Sequence, residues 1–348
     1  MTTVLPTPLI IMCLLTPATS LAIVSNHWVL AWAGLELSMM ITLLLLQKPK
    51  TPRSNEATIK YFITQTIAST MMLAAAMINF IYNGTWNITQ LDNKLSTTMA
   101  IISLALKMGA APVHFWLPEV LQGSPLPAAI IITTWQKIAP TVLMFMIWKN
   151  GHYWTLMMIS LLSIFVGGFG AINQPQMRKM VAFSSINSTG WTLMMMILDT
   201  YLALLNVLLY INLISVILYM MEKIPAKTLQ NWTMTHLQAQ TMGLLVGLTT
   251  LATSGLPPTS GWAPKMASLD RMLDQYELTT MATLLSLMTL ITLLFYIRLS
   301  YISAMTSSPS TSNVQTKWRP KEHVTMWLPV LASNILTTFL LLPVTLAY

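Results

Sequence analysis

The chain has 348 residues, of which 55% are hydrophobic and only 8% charged, and its mean hydropathy is +0.64. Soluble domains carry about 25% charged residues, so this composition excludes a water-soluble fold and makes lipid the main solvent. A net charge of +8 would suggest nucleic acid in a soluble protein. Here the basic residues sit in short loops between apolar runs, where they report topology and not nucleic-acid binding.

A hydrocarbon core of about 30 Å takes about 20 apolar residues per helix. Eleven apolar segments recur, at 4–24, 26–46, 58–81, 97–120, 126–147, 154–172, 180–198, 201–221, 237–273, 278–304 and 324–347. They lack the alternation, about ten residues long, of membrane barrel strands. Helices satisfy every backbone polar group within the segment, which lipid demands. The expected fold is therefore an all-α polytopic membrane protein of about eleven transmembrane helices, with no separate soluble domain.

Segment 4–24 has no basic leading region, so it reads as a span and not as a cleaved signal. It holds the lone cysteine, Cys13. One thiol makes no intramolecular disulfide and no iron–sulfur cluster, and Cys13 reads as a small apolar core residue. Segment 26–46 carries Glu36 near its middle. Segment 97–120 reads KMGAAPVHFWLPE from Lys107 and includes Pro112 and Pro118. Segment 126–147 carries Lys137 within WQKIAP. Segment 237–273 is too long for one straight crossing and contains SGLPPTSGWAPK at 254–265, ending at Lys265. A polar connection, 305–323, precedes the last segment.

Proline removes a donor and clashes with the preceding turn. Helices 4 and 9 are therefore expected to break, around 108–112 and 254–260. Broken backbone at membrane depth survives where it lines a polar cavity or is buried in protein. The two breaks lie five helices apart, as in two inverted five-helix repeats, the layout that marks a transporter's ion path. The chain then reads as one membrane domain: a first repeat over 1–150, a second over 151–304, a loop over 305–323 and a C-terminal helix over 324–348. Connections after even-numbered segments hold ten basic residues (Lys48, Lys50, Arg53, Arg178, Lys179, Lys223, Lys227, Lys317, Arg319, Lys321) against three after odd-numbered ones (Lys94, Lys149, Arg271). That bias puts the even loops and the N-terminus on the matrix-like side.

Most charged residues lie in loops or near span ends; Glu36, Lys107, Lys137 and Lys265 do not. Each ionised group at bilayer centre costs about 2.5–3.5 kcal/mol, against a whole-fold stability of about 5–15 kcal/mol. Such groups persist only if paired, hydrated or neutralised, and groups that exchange protons under those conditions are what a proton path needs. A static Glu–Lys tie between helices is the alternative. His114, after Pro112, reads equally as a proton relay or a hydrogen-bonded packing residue. Glu119 reads as interfacial and Arg298 as snorkelling. Trp28, Trp32, Trp116 and Trp327 read as belt or packing residues. Neither a phosphate loop, a metal-spaced His/Cys cluster nor a nucleophile–base pair is evident.

The runs KMGAAPVHFWLPE at 107–119, WQKIAP at 135–140, QMRKMVAFSSI at 176–186 and SGLPPTSGWAPK at 254–265 resemble the antiporter-like membrane subunits of respiratory complex I. The resemblance covers essentially the whole chain. The short N-terminus, the eleven segments and the 28 methionines look like the mitochondrially encoded form, which lacks three leading helices of its bacterial relatives. The resemblance implies a proton-translocating subunit in the mitochondrial inner membrane, among other complex I membrane subunits and lipid. Glu36 and Lys107 match the family's input pair, Lys137 its connecting lysine and Lys265 its terminal lysine. It implies no cofactor in this chain, with flavin, iron–sulfur clusters and ubiquinone in partner subunits. One departure stands out: the family usually carries a histidine in helix 7 where this chain has Ser188, which passes a hydrogen bond but does not titrate near neutrality. Two further readings remain: a cation/proton antiporter subunit of a multisubunit exchanger, and a structural subunit whose ion pairs only specify packing.

Overall fold

The structure is a computed structural model that describes residues 7–48, 50–91, 93–148, 153–223, 228, 240–256, 259–275 and 278–305. Thirteen helices form among these residues: α1 (Thr7–Val24), α2 (Trp28–Leu46), α3 (Pro52–Asn83), α4 (Lys94–Met108), α5 (Trp116–Gly123), α6 (Leu126–Thr133), α7 (Trp135–Trp148), α8 (Tyr153–Ala171), α9 (Met177–Leu198), α10 (Thr200–Lys223), α11 (Gln240–Ser254), α12 (Trp262–Leu273) and α13 (Thr279–Met305). They account for the first ten expected segments, with α4 and α5, α6 and α7, and α11 and α12 as divided crossings. The segment 324–347 lies outside the described residues. Among the described residues, seven crossings are long and apolar enough to span a membrane: α2, α3, α6 taken with α7, α8, α9, α10 and α13.

Helix α3 starts earlier than the hydropathy pattern indicates, at Pro52 and not near 58. Thr51 caps it: its hydroxyl accepts from the Ser54 N–H while the Ser54 hydroxyl accepts from the Thr51 N–H. Pro52 at the first helical position needs no N–H partner. This polar start brings Arg53 and Glu56 onto the helix, beyond the reach of an apolarity criterion.

The chain divides into two compact units, residues 1–167 with 181–207, and residues 168–180 with 208–348. In the first unit, small residues let helices approach closely, as lipid-embedded helices require. A side chain at Gly34 would meet the backbone of Ala18 and Ala22, which fixes α2 against α1. Gly123 brings α5 onto α3 at Arg53 and Ala57, and Gly190 brings α9 onto α8 at Ser163 and Ile164. The apolar core of this unit gathers around Leu15, Met39, Leu46, Tyr61, Trp116 and Ile132. Trp116 is buried in it, and Trp28 is buried elsewhere in the unit. Cys13 departs from expectation and is exposed. Ile11, Leu15, Ala18 and Ala22 occupy the buried face of α1, and position 13 falls outside their helical spacing.

In the second unit, α11 packs against α13. The end of α8 meets α13 where Gly168 faces Thr292. Arg298 donates from Nη1 to the Ile172 carbonyl at 3.5 Å, so this arginine has a protein partner beyond the snorkelling expected of it.

Candidate proton-path site

Both expected breaks are present. Helix α4 ends at Met108, where Gly109 takes a left-handed conformation (φ 77°) and the Ala110 N–H returns to the Ala105 carbonyl at 2.9 Å. That glycine-terminated ending needs positive φ, which costs glycine nothing. Residues 109–115 then run outside the long helices until α5 starts at Trp116. In the second unit α11 ends at Ser254, Gly255 follows with φ 83°, and α12 begins at Trp262.

Lys107 lies in the last turn of α4 and is buried, at 7% exposure. The carbonyl end of a helix carries partial negative charge, which favours a cation there. Its Nζ stands 3.7 Å from Oε1 of Glu36 on α2. This is an ion-pair distance but exceeds a hydrogen bond, and Glu36 Oε1 is buried without a hydrogen-bond partner among the described residues. The two charges are adjacent but not clasped. Gln65 of α3 donates to the Lys107 carbonyl at 3.5 Å, tying the end of α4 to α3.

Lys137 lies on α7, three residues after an irregularity absent from the sequence reading. Thr134 separates α6 from α7 with ψ −72°, and its hydroxyl accompanies its N–H onto the Ile130 carbonyl. Pro140, one turn further on, removes the N–H that the Gln136 carbonyl would accept. The signal was available in TTWQKIAP: two hydroxyls able to bond the preceding turn and a proline after them. Lys137 is buried and donates to the Ser185 carbonyl of α9 at 3.1 Å. The Ser188 hydroxyl donates to the same carbonyl at 2.9 Å. Ser188, the departure noted in the sequence, therefore shares an acceptor with Lys137.

Lys265 is buried in the first turn of α12 and donates to the Ser254 carbonyl at 2.8 Å, so it caps the last residue of α11 across the break. At the breaks after α4 and α11 a lysine thus lies at the negative end of the leading half-helix. Glu36, Lys107 and Lys137 belong to the first unit and Lys265 to the second.

The remaining candidates separate from this group. His114 donates from Nδ1 to the Pro112 carbonyl at 3.1 Å and its ring lies against Phe115, contacts that hold the break loop. Glu119 pairs with Lys60 at 2.6 Å, and Lys60 also pairs with Glu56. All three are substantially exposed and form an interfacial cluster between α3 and α5. No group of three or more His, Cys, Asp or Glu residues is arranged for a metal among the described residues.

Residues 25–292 match the family described as NADH:quinone oxidoreductase/Mrp antiporter, transmembrane region. The chain belongs to this family. Residues 293–348 match a second description, NADH dehydrogenase subunit 2 C-terminus. Among relatives of the NADH:quinone oxidoreductase/Mrp antiporter family, NADH-ubiquinone oxidoreductase chain 2 of Varanus nebulosus is 42% identical over 328 residues, 94% of either chain. The protein of the same name from Balaenoptera physalus is 38% identical over 341 residues, 97% of either chain. Among solved structures, a chain of respiratory complex I from Thermus thermophilus with bound aureothin superposes with a TM-score of 0.81 at 20% identity, covering 97% of this chain and 77% of that one. A chain of the Mrp complex from Dietzia sp. gives 0.76 at 15% identity, covering 97% and 74%. These likenesses show that the fold is that of the antiporter-like membrane subunits.

Proposed function

We propose that the chain is a proton-translocating, non-redox membrane subunit of an NADH:ubiquinone oxidoreductase. It works in the mitochondrial inner membrane among other membrane subunits, with its N-terminus in the matrix. The observation that carries this reading is the buried Glu36–Lys107 pair at 3.7 Å beside the break that ends α4. A pair that is adjacent yet not hydrogen-bonded changes partners more easily than a clasped one, which a static tie would require. Lys137 and Lys265 extend the path as buried lysines on carbonyl acceptors. The breaks after α4 and α11, five expected segments apart, support inverted repeats over 1–150 and 151–304, followed by a matrix loop over 305–323 and a helix over 324–348. Relatives named as NADH-ubiquinone oxidoreductase chain 2 over nearly their whole length favour this reading over an ion exchanger.

Flavin, iron–sulfur clusters and ubiquinone belong to partner subunits in this reading. Their redox chemistry supplies the energy, since each charge moved against 100 mV requires about 2.3 kcal/mol. The test is the proton-to-electron ratio of reconstituted complex carrying Lys107→Met. A lowered ratio with intact assembly is expected. An unchanged ratio and rate would reduce the pair to a structural tie.

A further inference from the structure

A helix leaves the N–H groups of its first turn without partners inside it. At the start of α2, the helix of Glu36, three such donors are met. The Trp28 N–H donates to the Trp86 carbonyl at 3.1 Å, the Val29 N–H to the ring Nδ1 of His27 at 3.2 Å, and the Leu30 N–H to the His27 carbonyl at 3.1 Å. A return contact runs from the Ile88 N–H to the Asn26 carbonyl at 3.0 Å, so residues 26–28 pair with 86–88 between α3 and α4.

That connection is itself fixed. The Asn79 amide of α3 donates to the Thr85 and Gln90 carbonyls, and Ile88 and Leu91 are fully buried. Trp86 packs on Phe80 of α3, with ring centroids 4.9 Å apart. The His27 ring stacks on Trp86 with an interplanar angle of 11°. The imidazole is thus lodged between an anchored indole and the first turn of α2.

A ring nitrogen that accepts carries no proton, so the Val29 contact requires the neutral ring with its hydrogen on Nε2. A proton on Nδ1 would turn the acceptor into a donor that faces another donor. It would also set a cation against the positive end of α2. The indole face attracts a cation, so the charged ring stays on Trp86 and the first turn of α2 loses its partner.

We propose that His27 is a positioning residue: its neutral ring holds the start of α2, and with it Glu36, and proton uptake from the side opposite the matrix loosens that hold. The inference rests on the proton-translocation reading. His27 is exposed in the connection after the first segment, which the basic bias puts opposite the matrix. Glu36 lies about 14 Å further along the helix, at 1.5 Å per residue. Its 3.7 Å approach to Lys107 already exceeds a hydrogen bond, so a small shift of α2 weakens the pair. Protons that accumulate on the release side would thereby slow the step that delivers them.

Few other charges surround the ring. Apart from His27, residues 14–35 hold no titratable or charged side chain, and residues 62–91 hold only Tyr82. Lys94 opens α4, and Asp92 before it lies outside the described residues. Among the described residues none forms an ion pair with the ring.

The test uses the whole complex in proteoliposomes, oriented with its matrix side outward. Bath pH is fixed, and trapped buffer sets the lumen to about pH 8 or about pH 5, a span over which an ordinary histidine changes charge. The imposed gradient is the same for every variant, so differences between variants report His27. His27→Asn keeps a side-chain oxygen that accepts from the Val29 N–H and gains no proton in this range. It should match the unmodified complex at the higher lumenal pH and exceed its turnover about fivefold at the lower. His27→Ala, which has no cap, should be slow at both. Density maps of the unmodified complex should show the ring within hydrogen-bond distance of the Val29 N–H only at the higher pH. If His27→Ala does not assemble, the His27→Asn profile and the maps decide. Equal lumenal pH profiles in the unmodified and His27→Asn complexes overturn the proposal, as does a ring contact unchanged at low pH. Lys107→Met separates this inference from the pumping reading. An unchanged pump ratio there removes pumping, while loss of the ring contact at low pH still upholds the hold on α2. A lowered ratio there with equal pH profiles removes the His27 role alone.

Discussion

The ammonium of Lys265 bridges the gap between α11 and α12, donating to the Ser254 carbonyl 2.8 Å away. The intervening Gly255 turns the chain with φ 83°, and a Cβ placed on it would lie 2.9 Å from Lys265 Nζ. One glycine both permits the turn and leaves room for the charge.

Gly255→Ala should therefore do more than strain the backbone. Left-handed backbone costs a non-glycine residue about 1–2 kcal/mol, and the new methyl would also displace the ammonium from Ser254. Gly84→Ala is the control, since Gly84 has φ 68° but nothing within 4 Å of its Cβ position. Both variants should lower the yield of assembled complex on native gels. Only Gly255→Ala should lower the proton-to-electron ratio of what assembles. Matching ratios in the two variants would show that the Lys265 contact does not bear on pumping.

Glu36 and Lys107 should behave as one unit. Removing one member of a buried ion pair destabilises by about 3–5 kcal/mol, because the other charge is left uncompensated. The 17% exposure of the Glu36 side chain tempers that penalty. Glu36→Gln and Lys107→Met should each impair pumping in assembled complex, and the double variant should cost little more than either alone. Reconstituted pump ratios measure this. Additive losses would mean that the residues act in separate steps.

Glu119 should be dispensable for transport. Its ion pair with Lys60 is exposed, at 51% and 39% for the two side chains, and exposed pairs contribute only about 0–1 kcal/mol. Glu119→Gln is expected to leave the pump ratio unchanged. Assembly should change little at physiological salt, where an exposed pair is already screened. A lowered ratio would instead bring Glu119 onto the ion path.

Topology is open to direct labelling. Lys48 is exposed after α2 and Thr89 is exposed between α3 and α4. In a Cys13→Ser background, a cysteine at 48 should react with an impermeant maleimide from the matrix side and one at 89 from the other. The ten-to-three distribution of basic residues motivates the direction. Reaction of position 48 from the side opposite the matrix would invert the orientation.

Much of the architecture is a local property of the chain, and local properties are legible. Apolar runs of about 20 residues become spans because lipid offers the backbone no other partner. The breaks at Gly109 and Gly255 follow from glycine and proline in KMGAAP and SGLPP, since proline forbids a helical bond wherever it occurs. Glu36, Lys107, Lys137 and Lys265 stand out because charge is rare at membrane depth. The sequence signal fails where apolarity is the wrong measure. The first turns of α3 are polar yet helical, because Thr51 and Ser54 cap them. Cys13 faces outward although its composition suits a core, because the face a residue occupies depends on what its helix packs against.

Partnership across the bundle was decided by tertiary structure alone. Nothing in a one-dimensional pattern states that Gln136 meets Ser38, 98 positions away, or that Lys137 finds the Ser185 carbonyl. The same holds for Glu119, whose partner Lys60 lies on a helix brought close by Gly123. The physical reason is range. Hydropathy, capping and proline act within a few residues, whereas a hydrogen bond at about 3 Å depends on which helices meet and in what register. The sequence by itself determined that charges are buried and that helices break beside them. The tertiary structure decided which atoms those charges face.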